Sequence, residues 1–166
     1  MRSFRSMGLP TLLIAALGLA PSLAPSLASG DVAKWDQAKA TKLAAQFAKD
    51  AQAAYDALYR QDGTSGIAGS GQAFTFHKLQ DNVRLIASEA RHLHSSLEKG
   101  KDHDYTYHVF KRISELVHDA QVDARMLFIE HMTQEKIDAA AKSLQALAVY
   151  YDPGAIQIQK RRSEGD

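Results

Sequence analysis

The histidines are the residues of this chain best suited to chemistry, and four of the seven fall in RHLHSSLEKGKDHDYTYH, residues 91–108. Imidazole nitrogens and carboxylate oxygens are ligands for zinc and copper. A turn within this segment would bring His94, His103 and Asp104 together, joined by His108 if the first turn of the following helix is distorted. The segment therefore raises the hypothesis of a zinc or copper site. The alternative, which the spacing favours, is a solvated hairpin whose histidines are polar surface residues.

Spacing is the argument against the metal site. His92 and His94 lie two residues apart, and residues so spaced do not share a helix face. With about 100° of rotation per residue, His94 falls at the edge of the predicted inward face, whereas His92 and His108 point towards water. The donors are therefore scattered over the hairpin.

The sequence contains no recognisable catalytic set. There is no cysteine, which excludes a thiolate nucleophile, a disulfide framework and a haem attached through thioethers. Ser95 and Ser96 adjoin His94, but they lie on a predicted helix surface without a glycine-rich elbow. We therefore expect a protein that is not an enzyme.

His131 falls on a predicted apolar helical stripe, where a histidine among aromatic residues could hold a haem. Antiparallel packing would bring it near Tyr55, Tyr59, Phe74 and Phe76. In size, export and architecture the chain is similar to cytochrome b562-type bundles, whose haem ligands are a methionine early in the first helix and a histidine in the last. The predicted first helix has no methionine and the predicted fourth helix has no histidine, so haem is not expected.

The first 28 residues have the pattern of a secretory signal peptide. Arg2 and Arg5 form a basic start, LLIAALGLA is the apolar middle, and PSLAPSLA supplies small residues before a predicted cleavage after Ala28. The apolar run is shorter than the roughly 20 residues of a membrane helix. We therefore expect a periplasmic or secreted protein, with membrane attachment only if the signal is not cleaved.

The charge balance argues against nucleic acid as a partner. Cleavage after residue 28 removes two basic residues and no acidic one, which leaves 18 Lys and Arg against 19 Asp and Glu. The one basic cluster, KRR at 160–162, is followed by Glu164 and Asp166. Nucleic-acid binding requires a more extended basic surface. Any partner would therefore be a protein or another ligand that the sequence does not identify.

Apolar residues recur with helical period from residue 31 onwards, which predicts an all-α fold. The residues predicted to face inwards include Phe47, Leu79, Val83, Leu93, Ile113 and Leu144. We expect a single up-down-up-down antiparallel four-helix bundle over 29–152, followed by a flexible tail over 153–166. The predicted helices span about 31–60, about 74–98, a segment that starts after Asp102 or Asp104 and whose stripe ends at His131, and a segment from Thr133 to about Tyr151.

Several residues mark the expected helix ends and connections. The segment 61–73 contains four glycines and predicts a flexible connection, Gly100 is expected to end helix two, and Thr133 is expected to cap helix four. Trp35 either forms part of a partner surface or folds over the bundle end, and the second interpretation is favoured.

The predicted function is an exported, non-enzymatic bundle that acts through protein or ligand contacts, with metal binding by the 92–108 hairpin as the alternative.

The third predicted helix also carries an acidic ridge. Glu115, Asp119 and Asp123 recur every four residues, and like charges at this spacing repel one another. We expect Lys111, Arg112 and water to screen the ridge.

Overall fold

The computed structural model describes residues 32–60 and 70–156. These residues form four α-helices and no strand, which confirms the predicted all-α class: α1 (Gln37–Arg60), α2 (Ser70–Glu98), α3 (His103–Ala124) and α4 (His131–Ala148). The predicted signal peptide, most of the glycine-rich connection and the last ten residues lie outside the described residues.

The predicted apolar stripes are the faces that the helices bury. Leu93 of α2, Ile113 of α3 and Leu144 of α4 are each 0% exposed. The buried face of α1 consists mainly of alanines, with Phe47 and Leu58 as its large members. Because alanine side chains are short, neighbouring helices can approach α1 closely while the larger residues of those helices fill the core.

The packing of the four helices leaves one side open. Helix α1 packs against both α2 and α4, and α2 also packs against α3. The described parts of α3 and α4 do not pack closely against each other. A gap therefore separates α3 from α4, and α1 and α2 form its floor.

Hydrogen bonds at the helix ends show the directions of neighbouring helices. The Gln37 side chain at the start of α1 donates to the carbonyl of Leu97 at the end of α2, over 3.0 Å. The Ala33 N–H, just before α1, donates to the carbonyl of Val149, just after α4, over 2.7 Å. Helix α1 therefore runs antiparallel to both of the helices that it contacts.

Local sequence sets the ends of the first three helices. Asp36 precedes α1, and its carboxylate accepts the Lys39 N–H over 3.1 Å; this backbone hydrogen bond lowers the Asp36 pKa. Helix α1 therefore begins later than the predicted residue 31. Asp102, one of the two predicted residues, caps α3 by accepting the Tyr105 N–H over 3.0 Å. Gly100 ends α2 as predicted, with a φ of 76° that favours glycine.

The predicted boundary between helices three and four is wrong. Helix α3 ends at Ala124 and α4 begins at His131 with Glu130 at the N-cap, while Thr133 is 3% exposed and lies inside the helix. Residues 126–130 alternate between exposed and buried. The connection leaves α3 in a turn, in which the Met126 and Leu127 N–H groups donate to the carbonyls of Asp123 and Ala124, and its path places Leu127 and Ile129 in the core.

Because α3 ends at Ala124, the expectation that His131 lies on an inward-facing helical stripe is wrong. Its side chain is 86% exposed and its Nδ1 lies 3.6 Å from Glu135 Oε1. Tyr59 and Phe74 are also exposed, so they do not enclose His131 in an aromatic pocket. The statement that helix four has no histidine is also wrong, because His131 is its first residue.

Asp123 departs from the predicted acidic ridge. It is 5% exposed, and its two carboxylate oxygens accept from Lys78 Nζ over 3.1 Å and from Asn82 Nδ2 over 3.2 Å. These bonds join the end of α3 to the first half of α2. Arg112 pairs with Glu89 of α2 at 3.3 Å rather than screening the ridge.

The chain after α4 is ordered further than expected. The predicted flexible tail begins at residue 153, but Ile156 is 4% exposed and belongs to the core. The packed region therefore extends at least to residue 156.

Candidate functional site

One end of the bundle, which we call the aromatic end, is built around Trp35, His103, Tyr150 and Tyr151. The His103 ring stacks on Tyr151 with ring centroids 5.3 Å apart, and the edge of Trp35 contacts His103 at the same centroid distance. Trp35 also meets Tyr150 edge-on at 6.2 Å and packs against the core. The interpretation of Trp35 as a cover over the bundle end is confirmed.

Hydrogen bonds through Gln37 hold Trp35 in place over the ends of the helices. Trp35 Nε1 donates to Gln37 Oε1 over 3.1 Å. The amide nitrogen of Gln37 donates to the carbonyls of Leu97 and Lys101, each over 3.0 Å. Gln37 therefore ties the start of α1 to the turn between α2 and α3.

Tyr151 is the buried centre of the aromatic end. Its ring stacks on Phe110 with centroids 4.5 Å apart, and its hydroxyl lies 2.8 Å from Thr106 Oγ1. Thr106 Oγ1 itself donates to the Asp102 carbonyl over 2.7 Å, so the Tyr151 hydroxyl is the donor to Thr106. Burial raises the pKa of Tyr151 to about 12.

The residues predicted to bind metal are only partly brought together. His103 Nδ1 lies 2.8 Å from Asp104 Oδ1. His94 instead pairs with Glu98 of its own helix at 3.4 Å, and His108 is exposed and meets Tyr105 edge-on. Within residues 32–60 and 70–156, no group of three or more histidine and acidic residues could hold a metal ion. Metal binding by this hairpin stays a prediction, and it would require the side chains to rearrange.

The gap between α3 and α4 forms a cavity of about 330 Å³, which we call the α3–α4 cleft. Its floor consists of side chains that are at least nine-tenths buried; they come from α1 (Phe47, Ala51, Ala54) and α2 (Leu79, Val83, Ile86). Helices α3 and α4 supply its walls. The floor contains no polar side chain, so a molecule in the cleft would lie against hydrocarbon.

The cleft is polar at one end only. Gln121 and Arg125 near the end of α3, and Gln134 and Asp138 near the start of α4, line the end far from Trp35. We call these four residues the polar end. Gln134 Nε2 donates to Asp138 Oδ1 over 2.8 Å.

Large exposed apolar side chains gather at the same end of the bundle as the polar end of the cleft. They are 65% to 79% exposed and lie where α1 ends, near where α2 begins, and around the connection from α3 to α4: Tyr59, Phe74, Met126, Phe128 and Met132. We call this the distal end. Apolar side chains are exposed at the aromatic end too, at Val32, Tyr105 and Tyr107, but to a smaller extent of 39% to 53%.

The cleft was not predicted from the sequence. Several of its lining residues, among them Phe47, Leu79 and Val83, were predicted to face inwards, but only as core residues. The available signal was the set of alanines on the facing sides of α3 and α4, at Ala120, Ala124, Ala140 and Ala141. This signal is ambiguous, because small residues also allow two helices to pack closely.

Comparison with family models, with curated proteins and with solved structures gave no match to this chain. None of the four described helices combines the length and apolar character needed to cross a membrane.

Proposed function

We propose that this protein is an exported, non-enzymatic up-down-up-down bundle that binds a small apolar ligand in the α3–α4 cleft. The observation that carries the proposal is the cleft itself. Its volume of about 330 Å³ lies at the lower end of the range of small-molecule sites, which is roughly 300–1,000 Å³. Such sites are mostly apolar with a few polar groups that orient the ligand, and the cleft has this composition.

The energetics of an apolar cleft support binding. Removing apolar surface from water contributes about 25 cal/mol per Å², and the surface available for this belongs to half-buried wall residues such as Val117, Ile137 and Ala141. The floor residues Phe47 and Leu79 are already buried, and the core holds them in place. A ligand would therefore meet a preformed surface and would not have to order it, which lowers the cost of binding.

The groups at the polar end suit binding more than catalysis. Nucleophilic catalysis needs a nucleophile held beside a base, whereas this end offers two amides, one guanidinium and one carboxylate. These groups can orient a ligand by hydrogen bonds. The signal-like sequence over 1–28 supports export, so the ligand would be met in the periplasm or outside the cell.

Binding can be tested by titrating ¹⁵N-labelled mature protein, residues 29–166, with naphthalene and following backbone amide shifts by NMR. We expect saturable shifts that concentrate on residues lining the cleft. Ala141 lines the cleft, whereas Ala139 is exposed and does not, so Ala141→Trp and Ala139→Trp form a matched pair on one helix.

The Ala141→Trp side chain should fill the cleft and weaken naphthalene binding at least tenfold, which corresponds to about 1.4 kcal/mol. Ala139→Trp should bind within twofold of the parent protein. Equal weakening by both variants, or no saturable shift in the parent, would rule out the α3–α4 cleft as the binding site.

A further inference from the structure

We infer that the ligand of the α3–α4 cleft is a small neutral amphiphile, with an apolar body of about ten heavy atoms and one uncharged hydrogen-bonding group, such as a hydroxyl or an amide. The polar group lies at the polar end and the apolar body lies in the inner half. This inference rests on the proposed function and specifies the ligand class.

The inner half of the cleft determines the apolar body. Towards the aromatic end the lining consists of Phe47, Ile86, Val117 and Leu144, none of which offers a hydrogen bond from its side chain. A polar group placed there would lose its bonds to water without replacement, which is unfavourable. Only the alkyl or aryl part of a ligand fits this half.

The volume favours a small ligand. A cavity of about 330 Å³ lies at the lower end of the range for small-molecule sites, roughly 300–1,000 Å³. A chain of eight carbons with a small head group suits this end of the range, whereas a long-chain lipid would extend out of the cleft.

The polar end determines the head group. The side-chain amide of Gln121 makes no hydrogen bond within the part of the chain that the structure describes, and it can both donate and accept. Gln134 uses its nitrogen on Asp138, which leaves its carbonyl oxygen as an acceptor. A hydroxyl or amide can donate to one of these groups and accept from the other.

The charges at the polar end favour an uncharged head group. Arg125 and Asp138 stand on opposite walls, so an anion attracted by the guanidinium is repelled by the carboxylate, and a cation experiences the reverse. Both side chains are exposed, so a charged head group would lose part of its hydration for little net attraction, whereas an uncharged head group has less hydration to lose.

The test compares three ligands with the same eight-carbon chain: 1-octanol, octanoate and octylammonium, titrated at pH 7.5 by the same NMR measurement. We expect 1-octanol to bind at least threefold more tightly than either ion. In Gln121→Leu, 1-octanol binding should weaken by about threefold to tenfold, the range for one lost hydrogen bond, and naphthalene binding should not weaken, because leucine adds apolar surface to the cleft. Gln145→Leu on the exposed face of α4 is the matched control and should change neither.

The outcomes separate this inference from the proposed function. If naphthalene binds but either ion binds as tightly as 1-octanol, the neutral head group is wrong while the apolar site stands. Unchanged 1-octanol binding in Gln121→Leu would equally overturn the assignment of the head group to the polar end. Failure of both naphthalene and 1-octanol to bind would overturn the proposed function itself.

Discussion

The buried hydroxyl of Tyr151 makes a quantitative prediction about stability and pH. Tyr151→Phe removes the hydrogen bond to Thr106, which is 2.8 Å long, and keeps the ring that stacks on Phe110. Thr106 still donates to the Asp102 carbonyl, so its hydroxyl is not left without a partner. We therefore expect Tyr151→Phe to lower the free energy of unfolding at pH 8 by only about 1 kcal/mol.

The difference between the two proteins should shrink at high pH. The pKa of Tyr151 is raised from 10.0 to about 12 in the folded protein, so the folded state favours the neutral phenol. Below the unfolded pKa of about 10, Tyr151 is neutral in both states and the stability of the parent does not change with pH through this group. As the pH rises from 10 to 12 the unfolded state ionises first, so the stability of the parent falls. The slope is at most about 1.4 kcal/mol per pH unit, and it is smaller in practice because Tyr151 lies near the bundle end, where nearby solvent screens part of the cost of burying the charge. The Tyr151→Phe variant does not lose stability in this way, because phenylalanine does not ionise.

Urea denaturation followed by circular dichroism, at pH 8.0, 10.0 and 11.0, measures both effects. The parent should be more stable than Tyr151→Phe by about 1 kcal/mol at pH 8, and most of this advantage should be gone at pH 11. Tyr59→Phe, at a tyrosine that is 68% exposed, is the control and should match the parent within about 0.5 kcal/mol at pH 8. An advantage of the parent over Tyr151→Phe that is the same at pH 8 and pH 11 would refute the role assigned to burial of this hydroxyl.

Three further predictions concern other parts of the chain. Leu93 is fully buried, so Leu93→Asp should lower the free energy of unfolding by at least about 3 kcal/mol, and a melting temperature within a few degrees of the parent would contradict the buried face of α2. Calorimetric titration with zinc and with copper should show no stoichiometric site of micromolar affinity, because the hairpin donors are dispersed; such a site, lost in the His94→Ala, His103→Ala double variant, would establish the metal hypothesis. The mature chain should begin at or near Ser29, and intact-mass measurement of exported protein that retains Met1 would contradict signal cleavage.

The buried faces could be predicted from the sequence because helical periodicity determines which side chains share a face. Leu93, Ile113 and Leu144 illustrate this, since each was placed inwards from spacing and each is fully buried. Local end signals were also readable where a single residue type acts through its own backbone, as for Gly100 and Asp102.

The boundary between α3 and α4 could not be predicted in the same way. No glycine or proline occurs between residues 101 and 152, so the sequence contains no strong local break. The helix ends where Leu127 and Ile129 reach the core from a non-helical connection. This is an effect of tertiary packing. In the local sequence, Leu127 and Ile129 are only two more apolar residues and do not indicate a helix end.

Asp123 was predicted to lie on an exposed ridge because its partners are far away in the sequence. The cleft was not predicted because it depends on the distance between two helices. The partners of Asp123, Lys78 and Asn82, lie 45 and 41 residues away along the chain, and its spacing from Asp119 does not reveal them. Periodicity gives the direction in which Ala120 and Ala140 point, but it does not give the distance between the two helices that carry them.

The hydrogen bond between Ala33 and Val149 also determines how the molecule can be presented on a surface. It places the segment before α1 beside the end of α4 at the aromatic end, whereas Arg125 and Gln134 lie at the opposite end. A linker joined to the chain just before Val32 would therefore start at the aromatic end. Immobilisation through that linker would direct the polar end of the cleft away from the support and towards solution, so a surface-based binding assay built on this side of the chain would leave that end uncovered.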